Sequence, residues 1–273
     1  MNDPILLRDR VVLRVTGEDA SSFLEGLITS SIVNLQAGEA GYGALLMPQG
    51  KIICDMIVLK RDDGFLLDVP AQADESLFKR LKMFRLKSKV DIELADNLHV
   101  YVNVEDGFAD PRSPDMPKRI ITTQMDWELA SERHYHLKRI QACVPEQGYD
   151  FGENEVFPSD INMDLLNGVN FKKGCFVGQE VVSRMKRRGT TRRRTLAFRF
   201  EQGAPAPASA LMANDVQVGE ISSVQDEYAL ARVRLDRLIK AQEETDLKLT
   251  AENRDADLIE HDWLAEQIAI LQS

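Results

Sequence analysis

The chain has only three cysteines in 273 residues, Cys54, Cys143 and Cys175, and no two of them form a CxxC pair. An odd number of widely spaced thiols suits free thiols in a reducing compartment better than a disulfide scaffold. Without CxxC spacing the chain shows no set of its own for a structural zinc or an iron–sulfur cluster, so no intrinsic metal is expected. Histidine is scarce too. His134 and His136 stand two apart, a spacing that does not put both rings on one helix face. No apolar run approaches the roughly 18 residues needed to cross a bilayer, and no membrane partner is expected. The start, MNDPILLRDR, lacks the long apolar core of a signal peptide. Aromatics make up 7% of the chain, and none form a stripe beside its bases on which nucleobases would stack.

The charge is unevenly spread. Net charge is −10, yet residues 172–199 hold ten bases against the single acid Glu180, which makes +9 there and leaves −19 for the rest. Such a local field draws anions to one place on an acidic protein. It disfavours a protein that coats nucleic acid, but leaves room for a polyglutamylated or phosphorylated ligand, one nucleic-acid contact, or merely a solvated basic face.

Residues 5–15 read as a strand or hairpin arm. Ala20, Phe23, Leu24, Leu27 and Ile28 follow helical spacing, with Asp19 or Thr16 as cap. Two extended runs meet at Asp63-Gly64, a hairpin signal. A helix is expected near 74–86 and a further hairpin over 90–104. The alternation of strands and helices predicts an α+β fold. Residues 106–119, rich in Pro, Gly and charge, read as a surface connection; 125–142 carry a helical pattern and 145–171 are loop-rich. From Arg193, short strands separated by turns suit a small barrel. An acidic run from Glu243 through Asp246 to Asp262 closes the chain.

The segment KKGCFVGQEVVSRMKRRG carries the most chemistry. Gly178 is a plausible helix start, which places Gln179 and Glu180 in the first turn and Glu180 four residues before Arg184. Cys175, after two lysines and before that start, sits where positive charge favours a thiolate. Equally, it is a small hydrophobe to be buried beside Phe176. Asp55, within the apolar run IICDMIVL, is costly if buried unpaired; alternation sets it opposite Cys54 and Met56, on a face that is either solvated or functional.

Lys173 to Glu180, KGCFVGQE, resembles the K-G-C-[YF]-x-G-Q-E signature of the YgfZ-type folate-binding proteins, relatives of the glycine-cleavage aminomethyltransferase. FLEGLITSSI, GYGALLMPQGKIICDMIVL and VGEISSV…YALARV resemble other parts of that family. The resemblance implies two α+β folate-binding subdomains, over 1–105 and 106–192 with segments exchanged between them, then a C-terminal β-barrel with the acidic tail over 193–273. It also implies tetrahydrofolate or a one-carbon derivative as ligand, and iron–sulfur enzymes or assembly factors as partners, with support of tRNA thiolation. The compartment would be the bacterial cytoplasm, or the mitochondrial matrix in a eukaryote. By the same resemblance Cys175 is the functional thiol and Asp55 the acid facing folate, while Gln141, Asp160, Lys173 and Arg184 are folate-binding positions. Gln141 is neutral where the transferase has a carboxylate, which argues against full aminomethyl transfer. One-carbon transfer and a non-enzymatic tRNA- or protein-binding role are the alternatives.

Overall fold

The structure, a computed structural model, describes residues 3–189, 191–244 and 247–272. Strand β1 (Ile5–Leu6) joins a sheet apart from β2 (Arg10–Thr16), so the expected single N-terminal arm serves two sheets. The larger of these is antiparallel, in the order β3-β4-β5-β2-β6, with β3 (Ala40–Leu46), β4 (Ile52–Arg61), β5 (Gly64–Pro70) and β6 (Asp91–Leu94). Helices α1 (Ala20–Glu25) and α2 (Asp74–Arg85) cover one face, burying Phe23, Leu24, Leu77 and Leu81 against Cys54, Met56 and Val58. Asp19 occupies the cap position of α1, but its carboxylate accepts from the Lys89 amide at 2.8 Å rather than capping the helix.

The opposite face is covered as well, which explains the nearly unbroken burial along β4. It packs against a three-stranded sheet, β1-β7-β8, with β7 (His99–Val102), β8 (Arg119–Thr122) and helix α3 (Glu132–Gln141). The expected hairpin over 90–104 does not form. β6 pairs with β2, whereas β7 pairs with β1 and β8, because the chain crosses from one sheet to the other between them. The helical pattern before Ser131 also does not become helix; Ser131 caps α3 by accepting from the Arg133 amide. At the other end of α3, Val144 and Cys143 donate to the carbonyls of Arg139 and Ile140. This is a Schellman closure with Cys143 in the left-handed position (φ 54°) that glycine usually fills.

Residues 145–171 are irregular apart from a 3-10 turn at Pro158–Ile161. Helix α4 (Gln179–Arg187) leads into the last unit: β9 (Arg193–Arg199), β10 (Ala210–Ala213), β11 (Val216–Gln225), β12 (Tyr228–Arg234), α5 (Leu235–Glu244), β13 (Leu249–Ala251), β14 (Arg254–Asp255), β15 (Asp257–Leu258) and α6 (Asp262–Gln272). The sheet order is β14-β13-β10-β11-β12-β9-β15. Its two edge strands are separated in sequence only by Ala256, so chain connectivity draws the edges together into a near-closed barrel, which protects them. Asp246 of the acidic run lies outside the described residues. Among the described residues no helix is long and apolar enough to cross a membrane.

Candidate functional site

The signature segment is held as a loop by contacts from both ends. Asn170 Oδ1 accepts from the amides of Lys172 (2.9 Å) and Lys173 (3.1 Å), while the Asn170 amide donates to the Thr29 carbonyl. Lys173 Nζ donates to the carbonyls of Glu25 (2.6 Å), Ile28 (3.0 Å) and Ser30 (2.7 Å), and pairs with Glu25. Its three donors are thus spent on the end of α1 and the turn after it. Burial pulls its pKa below the usual lysine value, against the opposing pull of Glu25. Gly178 starts α4 at φ 80°, and a Cβ there would lie 2.7 Å from the Met47 carbonyl and 3.2 Å from the Cα of Gly50. Gly50 is also left-handed, at φ 85°, and a Cβ there would lie 3.1 Å from the Val181 side chain. The two glycines let the motif loop and the β3–β4 turn touch backbone to backbone.

This clamp leaves Cys175 exposed, whereas Cys54 and Cys143 are buried. The expectation of a small buried hydrophobe fails at Cys175 because its neighbour Phe176 takes the core position instead. Gln179 Nε2 donates to the Gly174 carbonyl at 3.3 Å, and Glu180 lies 4.0 Å from Arg184, the expected i, i+4 pair on an exposed face.

Asp55 lies elsewhere. It is 2% exposed, on the face of β4 that looks toward the three-stranded sheet, so neither strand face is solvated. Tyr42, across the β3–β4 pair, donates its hydroxyl to Asp55 Oδ2 at 3.0 Å, while Oδ1 has no hydrogen-bond partner among the described residues. Where β4 runs past the end of β5, the Gln147 side chain takes its edge. Gln147 Nε2 donates to the Ile53 carbonyl (2.9 Å), and its Oε1 accepts from the Asp55 amide (3.1 Å). Burial raises the Asp55 pKa; Arg10 and Arg112 pull it down but do not win. The ionised carboxylate therefore costs stability as pH rises through its folded pKa, a cost absent below the unfolded value near 3.8. Asp55→Asn is expected to raise stability at pH 7, with the gain vanishing toward pH 3 in urea titrations.

Around Asp55 runs a buried chain of ions that sequence reasoning missed. Arg10 (2.6 Å) and Arg119 (2.6 Å) share Asp68, and Arg119 reaches Asp110 at 3.2 Å. Arg112 grips Asp110 through two nitrogens and donates to Glu146 at 2.7 Å. Tyr135 donates to Glu146 and accepts from Arg112 and Arg119. Arg139 donates to Asp150 (2.7 Å), whose other oxygen accepts from Ser222 and Ser223 of β11. One network thus ties both sheets and the barrel together. Asp110 and Arg112 belong to the stretch expected to be a surface connection, and both are buried. Asp68 within FLLDVP carries the same signal as Asp55, an acid inside an apolar strand. Nothing in the spacing of Arg112 or Glu146 reveals their partners.

Asp160 is buried in the 3-10 turn, its carboxylate accepting from the Phe157 amide and its carbonyl from Thr195 Oγ1. Burial raises its pKa. Gln141 is the half-buried last residue of α3. Among the described residues no hydrogen bond or ion pair joins Gln141, Asp160, Lys173 or Arg184 to Asp55. No group of ligating side chains suited to a metal ion occurs among them either. As for folate, the free Asp55 Oδ1 fits an N–H donor, but the space does not fit. Tyr42, Arg112, Glu146 and Gln147 are each at most 4% exposed, so a bicyclic ring cannot reach that oxygen in this packing. A cavity of about 440 Å³, lined by Ile5, Met116, Pro117, Ala130 and Tyr135 among others, includes none of the expected binding residues.

Two α+β units and a barrel linked by a central ion network define an aminomethyltransferase-like fold. The aminomethyltransferase T of the glycine cleavage system from Bartonella henselae shares it, with TM-score 0.73 and 14% identity over 97% of this chain and 87% of that one. Residues 11–146 match the GCVT N-terminal domain, and residues 192–266 the CAF17 C-terminal β-barrel domain. The chain belongs to the GcvT/CAF17/IBA57 family of folate-binding proteins. It is similar to the mitochondrial iron–sulfur cluster assembly factor IBA57 homolog of Neurospora crassa, at 31% identity over 73% of this chain and 54% of the relative. A homolog in Pyricularia oryzae is 30% identical over 70% and 55%. The human factor IBA57 is 28% identical over 90% and 82%. The chain spans little more than half the length of the fungal relatives.

Proposed function

We propose that this protein is a tetrahydrofolate-linked accessory factor in the maturation of iron–sulfur proteins, working through the Cys175 thiol. The observation that carries the reading is the contrast among its cysteines: the one inside the signature segment is exposed on a clamped loop, and the other two are buried. A rigid loop presents a soft sulfur ligand or nucleophile to a partner at little cost in ordering entropy. The names of the relatives supply the process, and iron–sulfur enzymes or assembly factors are the partners. The compartment follows as the mitochondrial matrix in a eukaryote, or the cytoplasm of a bacterium.

Folate belongs to this reading through the family and through the unpartnered oxygen of Asp55. Binding there requires the packed side chains around Tyr42 and Asp55 to part. No chemical step is assigned to the ligand. The neutral Gln141 and the absence of an open space beside Asp55 make one-carbon transfer the poorer reading.

Two measurements check the proposal. Titration calorimetry with tetrahydrofolate is expected to give binding heat that Asp55→Ala removes; silence up to millimolar ligand removes folate from the reading. In cells lacking the protein, Cys175→Ala is expected to fail to restore iron–sulfur enzyme activities while folding with an unchanged Tm. Full restoration by Cys175→Ala overturns the thiol role.

A further inference from the structure

We infer that the basic face of α4 beside Cys175 is a docking surface for an acidic protein partner; the purpose of that docking rests on the function proposed above. On α4 Arg184, Lys186 and Arg187 are exposed, as are Arg188 at its C-terminal cap and Lys172 and Arg192 to either side. The other bases of the segment that are drawn inward are already used. Lys173 holds the end of α1, and Arg194 pairs with Asp164 at 2.5 Å. Arg184, Arg187 and Arg188 fall at i, i+3 and i+4, so like charges crowd one helical face and repel. Among the described residues the acid paired with them is Glu180, through Arg184. A partner of opposite sign relieves that repulsion on the α4 bases.

The face carries more arginine than lysine, a composition that suits either kind of partner. Other features favour a protein over a nucleic acid. The face continues into an apolar spot, because Gly189 abuts Ile270 of α6, a residue 43% exposed. Finally, its aromatics are not available for stacking: Phe176 is buried, and Phe171 lies half-buried beneath Lys186 Nζ at 4.2 Å. A long polyanion would also run off the patch onto an acidic surface. Helix α4 begins four residues after Cys175 and is about 13 Å long, well inside the roughly 30 Å Debye length of 0.01 M salt. The same field therefore steers anionic surfaces toward the thiol.

The test uses the full chain, the pair Arg187→Glu/Arg188→Glu, and Arg80→Glu/Lys87→Glu as a control of equal charge change on α2 and the residues after it. The first readout is the rate at which Cys175 reacts with dianionic dithiobis(nitrobenzoate) and with neutral dipyridyl disulfide. In each reaction the thiolate attacks one sulfur, the S–S bond breaks and an arylthiolate leaves; Cys175→Ala gives the blank. The α4 pair is expected to slow the dianion about tenfold more than the neutral reagent in 10 mM salt, with the difference vanishing in 0.5 M salt, the neutral reagent correcting for any change in thiolate fraction. The second readout is fluorescence anisotropy with a Glu-rich twenty-residue peptide bearing leucines, and with bulk tRNA. The peptide is expected to lose at least tenfold in affinity on the α4 pair and little on the control. Equal loss on both pairs, or none, overturns the surface, and tRNA bound more tightly than the peptide in 150 mM salt reassigns it to nucleic acid. If Cys175→Ala restores iron–sulfur activities yet the α4 pair still weakens the peptide, the function falls and the docking surface stands. If Cys175→Ala abolishes them and the α4 pair changes neither affinity nor activity, the surface falls alone.

Discussion

Arg119→Ala is expected to destabilise the protein by about 3–5 kcal/mol, because it leaves buried carboxylates without a shared partner. Arg119 is fully buried, and its guanidinium joins Asp68 of β5 to Asp110 and to the Tyr135 hydroxyl. Alanine removes these contacts and takes away the cation that stands between the Asp68 and Asp110 carboxylates. Asp68 keeps Arg10 and Asp110 keeps Arg112, so the chain still folds, with a lower urea midpoint. The pH dependence gives a second check. Burial is the largest influence on Glu146 and pushes its pKa up, yet Arg112, Arg139, Arg10 and Arg119 together hold it far below the ordinary 4.5. Asp110 is likewise held below 3.8, chiefly by Arg112 and then Arg119 against its burial. Depressed carboxylates contribute stability above their unfolded pKa values and lose it as pH falls through the folded ones. The wild type is therefore expected to lose stability steadily below about pH 4.5, and Arg119→Ala to lose less over the same range. An unchanged acid limb in the variant would show that Arg119 does not sustain those carboxylates.

Gly178→Ala is expected to cost about 2–4 kcal/mol, from a left-handed alanine and from overpacking. The new methyl would sit 2.7 Å from the Met47 carbonyl, a backbone atom that yields only if the β3–β4 turn moves. The loop carrying Cys175 would shift with it. Activity restored in cells is expected to fall toward that of Cys175→Ala although the thiol is intact, and the lower Tm should accompany it. A normal Tm with full activity would show that the contact between the two turns is dispensable.

The contrast between these two sites marks what is legible in a sequence. The α4 start at Gly178, the Asp63-Gly64 hairpin and the strands of the barrel are local: spacing, turn chemistry and alternation specify them within a few residues. The signature around Cys175 is local as well, and so was readable. By contrast, β6 and β7 look like one hairpin because each alternates correctly, and only the competition among distant partners sends them to different sheets. Lys173 reads as an anion-binding base, yet the residues its ammonium contacts are more than 140 positions earlier in the chain.

By itself, then, the sequence determined the class of fold, the family signature and which cysteine to watch, since each rests on a pattern contained in a short window. The tertiary structure decided that Cys175 is exposed, that Asp55 is sealed with one oxygen unpartnered, and that Arg10, Asp68, Asp110, Arg112, Arg119, Glu146 and Arg139 form one network. Burial and ion pairing are properties of surfaces brought together from three units. A charged residue shows in the sequence only that it must be satisfied, while the fold alone supplies the partner that satisfies it.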